Sequence, residues 1–83
     1  MADYAQIDEQ VKTILAKQLG LETDKIKSES LLVEDLGMDS FGSIETAFEL
    51  EEKFELKIPD KAIYEAKVVK DIVDYIAKEK GAG

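Results

Sequence analysis

The chain has 83 residues, 45% of them hydrophobic, enough for one small domain with a modest core over about residues 3–80. It contains no cysteine and no histidine, which excludes disulfides, thiolate metal sites, thiol nucleophiles and a histidine base. Nineteen acids against eleven lysines give a net charge of −8, a balance that repels nucleic-acid phosphates and anionic membranes.

The first residues, Met1-Ala2-Asp3-Tyr4, show no basic stretch followed by an apolar one. No apolar run approaches the roughly 18 residues of a membrane span, so a cytoplasmic monomer with no membrane insertion is expected. Tyr4, Ile7, Val11, Ile14, Leu15 and Leu19 repeat at the spacing of one helical face, which predicts a first helix over 4–19. Asp3 and Gln6 have the spacing of a capping box, and Gly20 suits the position just past the helix end.

Residues 21–38 carry no sustained period. Leu21, Ile26, Leu31, Leu32 and Leu36 recur between polar stretches, so this long connection is expected to be pinned to the core at several points. A second helix is predicted over about 40–54. On a wheel of about 100° per residue, Ile44, Ala47, Leu50 and Phe54 fall within one third of the circumference and form the expected core stripe. Phe41 and Phe48 lie about 110° from the centre of that stripe, bordered by Glu45, Glu52 and Glu55. Either the bundle wraps round to bury both rings, or they form an exposed apolar ridge with an acidic border, the composition of a partner site. Ile58-Pro59-Asp60 ends one element and starts another. A short helix over about 60–65 should turn Ala62, Ile63 and Ala66 inward, and a last one over about 68–80 should bury Val69, Ile72, Val73 and Ile76 with Tyr75 at the border. Lys78 and Lys80 complement the last helix dipole, and residues 81–83 should fray. No repeat, low-complexity tract or second domain interrupts this all-α pattern, a small four-helix bundle of three longer helices and one short one.

The chemistry concentrates in Asp35-Leu36-Gly37-Met38-Asp39-Ser40-Phe41. A glycine turn followed by an Asp-Ser pair reads as a helix start, with Ser40 exposed at the N-terminus, where free N–H groups and the dipole favour a phosphate. Asp39 and Ser40 would also serve as plain capping residues. Between Glu34 and Glu55 the chain carries eight acids and one lysine, a block that attracts a basic protein surface or is simply a solvated face. A serine hydrolase needs a base beside its nucleophile; there is no histidine, and no lysine lies near Ser40 in sequence. A calcium loop beginning at Asp35 would have Ser40 where glycine is required and Thr46 where glutamate is required, so that pattern fails and no specific metal site is expected.

Asp35-Leu36-Gly37 before Asp39-Ser40, then Ile44-Glu45, Leu50-Glu51-Glu52-Lys53-Phe54 and Ile58-Pro59-Asp60, closely resembles the acyl carrier protein family over about residues 4–79. The resemblance implies an acyl-carrier-like bundle with a long first loop and a short turn of helix around 34–37. It implies that Ser40 accepts 4′-phosphopantetheine from coenzyme A through a phosphopantetheinyl transferase, with Asp39 assisting recognition. The arm would carry acyl groups as thioesters between enzymes of fatty acid, lipid or secondary-metabolite synthesis. Phe41, Glu45, Phe48, Glu49, Glu51 and Glu52 would form the surface that docks on their basic faces, and the chain itself would catalyse nothing. Phe41 stands where the family usually has Leu, Phe48 where Met is common and Lys67-Val68 in place of Thr-Thr, and the larger aromatic ridge points to a specialised member; Gly42, where an acidic or polar residue is commoner, either loosens the helix start or leaves room beside Ser40 for a bulky group. The rival reading is a carrier-like interaction subunit that never takes the arm. A third is an acidic calcium sensor.

Overall fold

A computed structural model describes residues 3–81. Four α-helices follow in order: α1 (Tyr4–Leu19), α2 (Ser40–Phe54), α3 (Asp60–Glu65) and α4 (Val69–Lys80), with one 3₁₀ turn at Thr23–Lys25. Each expected helix forms, within one residue at either end. α1 starts as its capping box requires: Asp3 Oδ1 accepts the Gln6 N–H (2.8 Å), and the Gln6 side chain accepts from the Asp3 N–H. It ends on Gly20 at φ +69°, the left-handed conformation glycine adopts without penalty.

The helices enclose one core cluster. Ile7, Val11 and Leu15 from α1, Leu50 from α2 and Val69, Val73 and Ile76 from α4 are all fully buried. Burying each such side chain contributes about 1.5–3 kcal/mol, so these residues dominate the packing energy.

The long connection is held differently from expectation. Ile26 and Leu32 are buried and Leu36 half-buried, but Leu21 and Leu31, 38% and 36% exposed, stay outside the core cluster. Backbone pairing takes their place, because Leu31 bridges antiparallel to Val68. The Leu32 N–H donates to Lys67 O (2.9 Å), Val69 N–H to Ser30 O (3.1 Å) and Lys70 N–H to Ser28 O (2.9 Å). Hydrophobic spacing cannot reveal such pairing, which needs only main-chain groups. Around 34–37 the implied turn of helix is present only as single turns that do not extend into a helix: the Asp35 and Gly37 N–H groups donate four residues back, to Leu31 O and Val33 O (2.9 and 3.0 Å), and the Leu36 N–H also donates to Leu31 O (3.1 Å).

The same seam explains how α4 starts without a hydroxyl cap. Asp71 Oδ2 accepts the Lys67 and Val68 N–H groups (2.9 and 3.2 Å), and the next two N–H groups belong to the seam. The helix end is thus paired without threonine. At its far end Gly81 caps α4 in the left-handed conformation, and the expected fraying of 82–83 lies outside the described residues.

α2 is rotated from its expected setting. Its buried face is Ser43, Thr46, Ala47, Leu50 and Phe54, while Ile44, expected in the core, is exposed. Two small hydroxyl residues occupy the place of the isoleucine. Ser43 satisfies its hydroxyl locally, donating to Asp39 O (2.9 Å). Thr46 Oγ1 is buried with no hydrogen-bond partner among the described residues. A buried hydroxyl without a partner costs about 1–3 kcal/mol. Thr46→Val keeps the shape and removes the polar atom, so we expect it to stabilise the fold by about 1 kcal/mol. A urea midpoint shifted downward instead would show that the hydroxyl is bonded in solution.

The start of α1 is tied to α4 through charge. The Tyr4 hydroxyl donates to Asp74 Oδ1, and Lys70 Nζ lies 2.8 Å from Asp74 Oδ2. The Lys70 bond, followed by the Tyr4 bond, lowers the Asp74 pKa; the same carboxylate, followed by burial, raises that of Tyr4. Asp74 therefore adds stability above the ordinary carboxylate range that disappears as pH falls through its lowered folded-state pKa. Tyr4 adds stability that is complete below about pH 10 and is lost as pH rises through its raised one. Asp74→Asn should lower the melting temperature between about pH 5 and 9 and converge with wild type in strong acid. A gap that stays constant down to about pH 2 would contradict this assignment.

Candidate functional site

Ser40 is the first residue of α2, and its position is set by the residues just before it. The Met38 N–H donates to Leu32 O (2.9 Å), closing the turn, and the Met38 side chain is buried. Gly37 at φ +74° lets the chain make that closure. Asp39 then caps the helix, with Oδ1 accepting the Gly42 N–H (2.7 Å) and its carbonyl accepting the Ser43 N–H (2.8 Å). Capping by Asp is worth about 1 kcal/mol. Gly42 keeps this cap close, since a Cβ there would lie 3.2 Å from Asp39 Oδ1, closer than side chains ordinarily pack. The space beside Gly42 is therefore occupied by the capping carboxylate.

With Asp39 serving as the cap, Ser40 is free of that task. Its side chain is exposed, and Oγ makes no hydrogen bond among the described residues. Beside it runs an open groove of about 390 Å³ between α2, α3 and the loop, walled by Leu32, Val33, Met38, Ile63, Tyr64 and Ala66. A hydroxyl at a helix N-terminus with apolar walls alongside fits a phosphodiester continued by a flexible arm: the phosphate faces unpaired N–H groups, and the arm has a surface to lie against. Among the described residues neither lysine nor histidine lines this groove; Asp39, whose Oδ1 is engaged as the cap, is the carboxylate beside Ser40.

The other expected residues separate into two sets. Phe41, Ile44 and Phe48 are 70%, 47% and 61% exposed, and at about 100° per residue they share a 60° sector of α2. Glu52 and Glu45 are exposed at the border of that sector, about 20° and 40° past Phe41. Sequence reasoning missed Ile44 by ranking it with the core; its i+3 and i+4 spacing to Phe41 and Phe48 is the signal that joins it to them. Glu49 is half-buried on the flank, 3.9 Å from Lys17 Nζ of α1. Glu51 turns inward, where Oε1 accepts the Ile58 N–H (3.1 Å) and braces the chain after α2.

Asp35 does not converge on Asp39. Its Oδ2 accepts the Leu31 N–H (2.9 Å), holding the turn. Among the described residues no three acidic side chains gather as metal ligands would, and no helix is long and apolar enough to cross a membrane.

A family model described as the phosphopantetheine attachment site matches residues 9–76. An acyl carrier protein of Akkermansia muciniphila is 39% identical over 75 residues, covering 90% of this chain and 94% of that protein. One of Bdellovibrio bacteriovorus is 40% identical over 73 residues, covering 88% and 94%. A bundle with an exposed helix-start serine, matched along nearly its whole length, belongs to the acyl carrier protein family, whose domain carries covalently attached 4′-phosphopantetheine.

Proposed function

We propose that Ser40 is the attachment residue and that this chain carries acyl groups, as thioesters on the arm, between enzymes of fatty acid, lipid or secondary-metabolite synthesis. The observation that carries this reading is the exposed, unpartnered Ser40 Oγ between the capped start of α2 and the apolar groove. Attachment needs an outside catalyst. A transferase base takes the Oγ proton, Oγ bonds to the β-phosphorus of coenzyme A, the pyrophosphate P–O bond breaks, and the adenosine bisphosphate half leaves. The arm supplies the thiol that this cysteine-free chain lacks. Asp39 contributes twice, holding Ser40 at the helix end through one carboxylate oxygen and leaving the other to face the transferase or its metal ion.

Docking falls to the exposed sector of α2. Phe41 and Phe48, with Ile44 between them, offer the apolar anchors; Glu45 and Glu52 meet a basic rim, with Glu49 at the edge. Glu51 contributes its charge to the field while one oxygen braces the Ile58 turn. Two aromatic anchors suit a client with wider, flatter pockets than aliphatic side chains would fill, which supports a specialised carrier.

Incubation with coenzyme A and a broad-specificity phosphopantetheinyl transferase should add one phosphopantetheine to the intact mass, and Ser40→Ala should abolish the gain. Absence of any gain would leave the unmodified interaction subunit as the answer, and a gain that survives Ser40→Ala would move the site elsewhere. For docking, Glu45→Lys and Glu52→Lys should each slow association with a transferase bearing a basic docking face by about tenfold at low salt, the gap closing as salt rises. Stopped-flow rates equal to wild type at low salt would remove both residues from the contact.

A further inference from the structure

Ser40 has apolar ground on both sides, and α2 accounts for only one of them. On the other side the groove is walled by Val33 and Tyr64, 64% and 52% exposed. Beyond them lies a second open groove of about 390 Å³, lined by Leu31, Val33, Glu34, Tyr64, Ala66 and Lys67. Val33, Tyr64 and Ala66 belong to both, so the first two stand as a ridge between the serine and Lys67.

Folding does not call for that ridge. α3 meets the core through Ile63, with Ala62 and Ala66 half-buried, and Tyr64 points away from it. Val33 sits in a turn held by main-chain bonds and the Asp35 carboxylate, where a polar side chain would serve equally. Lys67 is exposed beside them, sharing the second groove with Glu34, and like most of the lysines it has no carboxylate within ion-pair distance among the described residues. An exposed aromatic, an exposed branched aliphatic and a free cation together have the composition of a contact surface.

We propose that Val33, Tyr64 and Lys67 form a second docking point, engaged by enzymes that do chemistry at Ser40 Oγ and present there an apolar pocket with an acidic residue on its rim. The inference rests on Ser40 being the attachment residue. Its warrant is continuity: an active site that brings a base to Oγ must close over the groove beside it, and Val33 and Tyr64 are the outer wall of that groove. Placement adds a second reason. One acidic patch on α2 attracts a partner but leaves it free to rotate about the serine; a second contact on the other side of Ser40, where Lys67 and Glu34 share the groove, sets the angle. Enzymes that reach only the end of an extended arm have no need of this contact.

The test compares transfer from coenzyme A, by a broad-specificity transferase, to wild type, to the double variant Val33→Ser/Tyr64→Ser, to Tyr64→Phe and to Lys67→Glu. Lys78→Glu in the last turn of α4 serves as the charge control. The double variant should raise KM for the carrier about tenfold with kcat nearly unchanged, while Tyr64→Phe behaves as wild type. Lys67→Glu should raise KM at low salt more than Lys78→Glu does. Unchanged melting temperatures establish that the fold is intact, as the exposure of all three residues predicts. If wild type is modified and the double variant has the same KM, the proposal fails and the carrier reading stands; if wild type gains no mass, both fall. Two further results would overturn it. Faster alkylation of the arm thiol in the loaded double variant, with KM unchanged, would make the ridge a shelter for the chain's own arm. A wild-type dimer in sedimentation that the double variant abolishes would make it a self-association surface.

Discussion

The structure depends on the main-chain seam between residues 28–32 and 67–70. A connection of about twenty residues cannot lie against a small bundle unless its backbone polar groups find partners, because each unpaired group removed from water costs about as much as a lost hydrogen bond. Three N–H···O bonds, two of them forming the Leu31–Val68 bridge, meet that need here, and two of the three borrow the first N–H groups of α4, which also require partners. Two deficits cancel. From the seam the consequences run toward Ser40: Leu32 is fixed, its carbonyl closes on Met38, and Met38 enters the core. Asp39 is then delivered to the end of α2 with its carboxylate over Gly42. The serine's exposure is thus the end point of a chain of pairings that begins about ten residues upstream.

α2 has to serve two masters. Its inner face packs on α1 and α3, and its outer face has to keep three large apolar side chains in water. Keeping Phe41, Ile44 and Phe48 exposed forgoes several kcal/mol of burial at about 1.5–3 kcal/mol per side chain. A helix selected for stability alone would rotate to bury Ile44. Here Ser43 and Thr46 lie inside, and Thr46 does so without a hydrogen bond among the described residues. Both features run against fold stability, and they fall on the one helix whose far side adjoins Ser40. Rules of local consistency are broken most often where function requires it, and this pattern is an instance.

Helix positions were legible in the sequence because helical periodicity and capping chemistry are local. The capping box of Asp3 and Gln6, the left-handed Gly20, and the core stripe of α4 all appear as read. Ser40 was legible as a helix start for the same reason. What failed to show were features that depend on partners distant in the chain or on the rotation of a helix about its axis. Hydrophobicity ranks Ile44 above Ser43 and Thr46, yet the choice between two adjoining arcs of α2 is made by how α1 and α3 approach it. Leu21 and Leu31 looked like anchors on composition, but beside the buried Ile26 and Leu32 the loop is held by carbonyl and amide groups that every residue possesses. Glu51 illustrates the remaining blind spot: nothing in a run of glutamates marks the one whose carboxylate braces Ile58.

Electrostatics then links the bundle to its use. A phosphodiester on Ser40, the attachment we propose, would add negative charge next to Asp39 and about a turn and a half from Glu45, with the end of the α2 dipole to offset it. In water such repulsion is small, about 1 kcal/mol for unit charges 4 Å apart, and it is weaker still at cellular salt. Inside a partner's active site, with water excluded, the same charges interact several times more strongly, so the partner has to supply compensating positive groups. On the docking role we propose, that requirement would select clients by their basic surface before any pocket is tested, while the exposed Phe41 and Phe48 would select among the basic surfaces by shape. Charge would then bring the carrier to a broad class of surfaces, and the aromatic ridge would narrow the class to those with room for two rings.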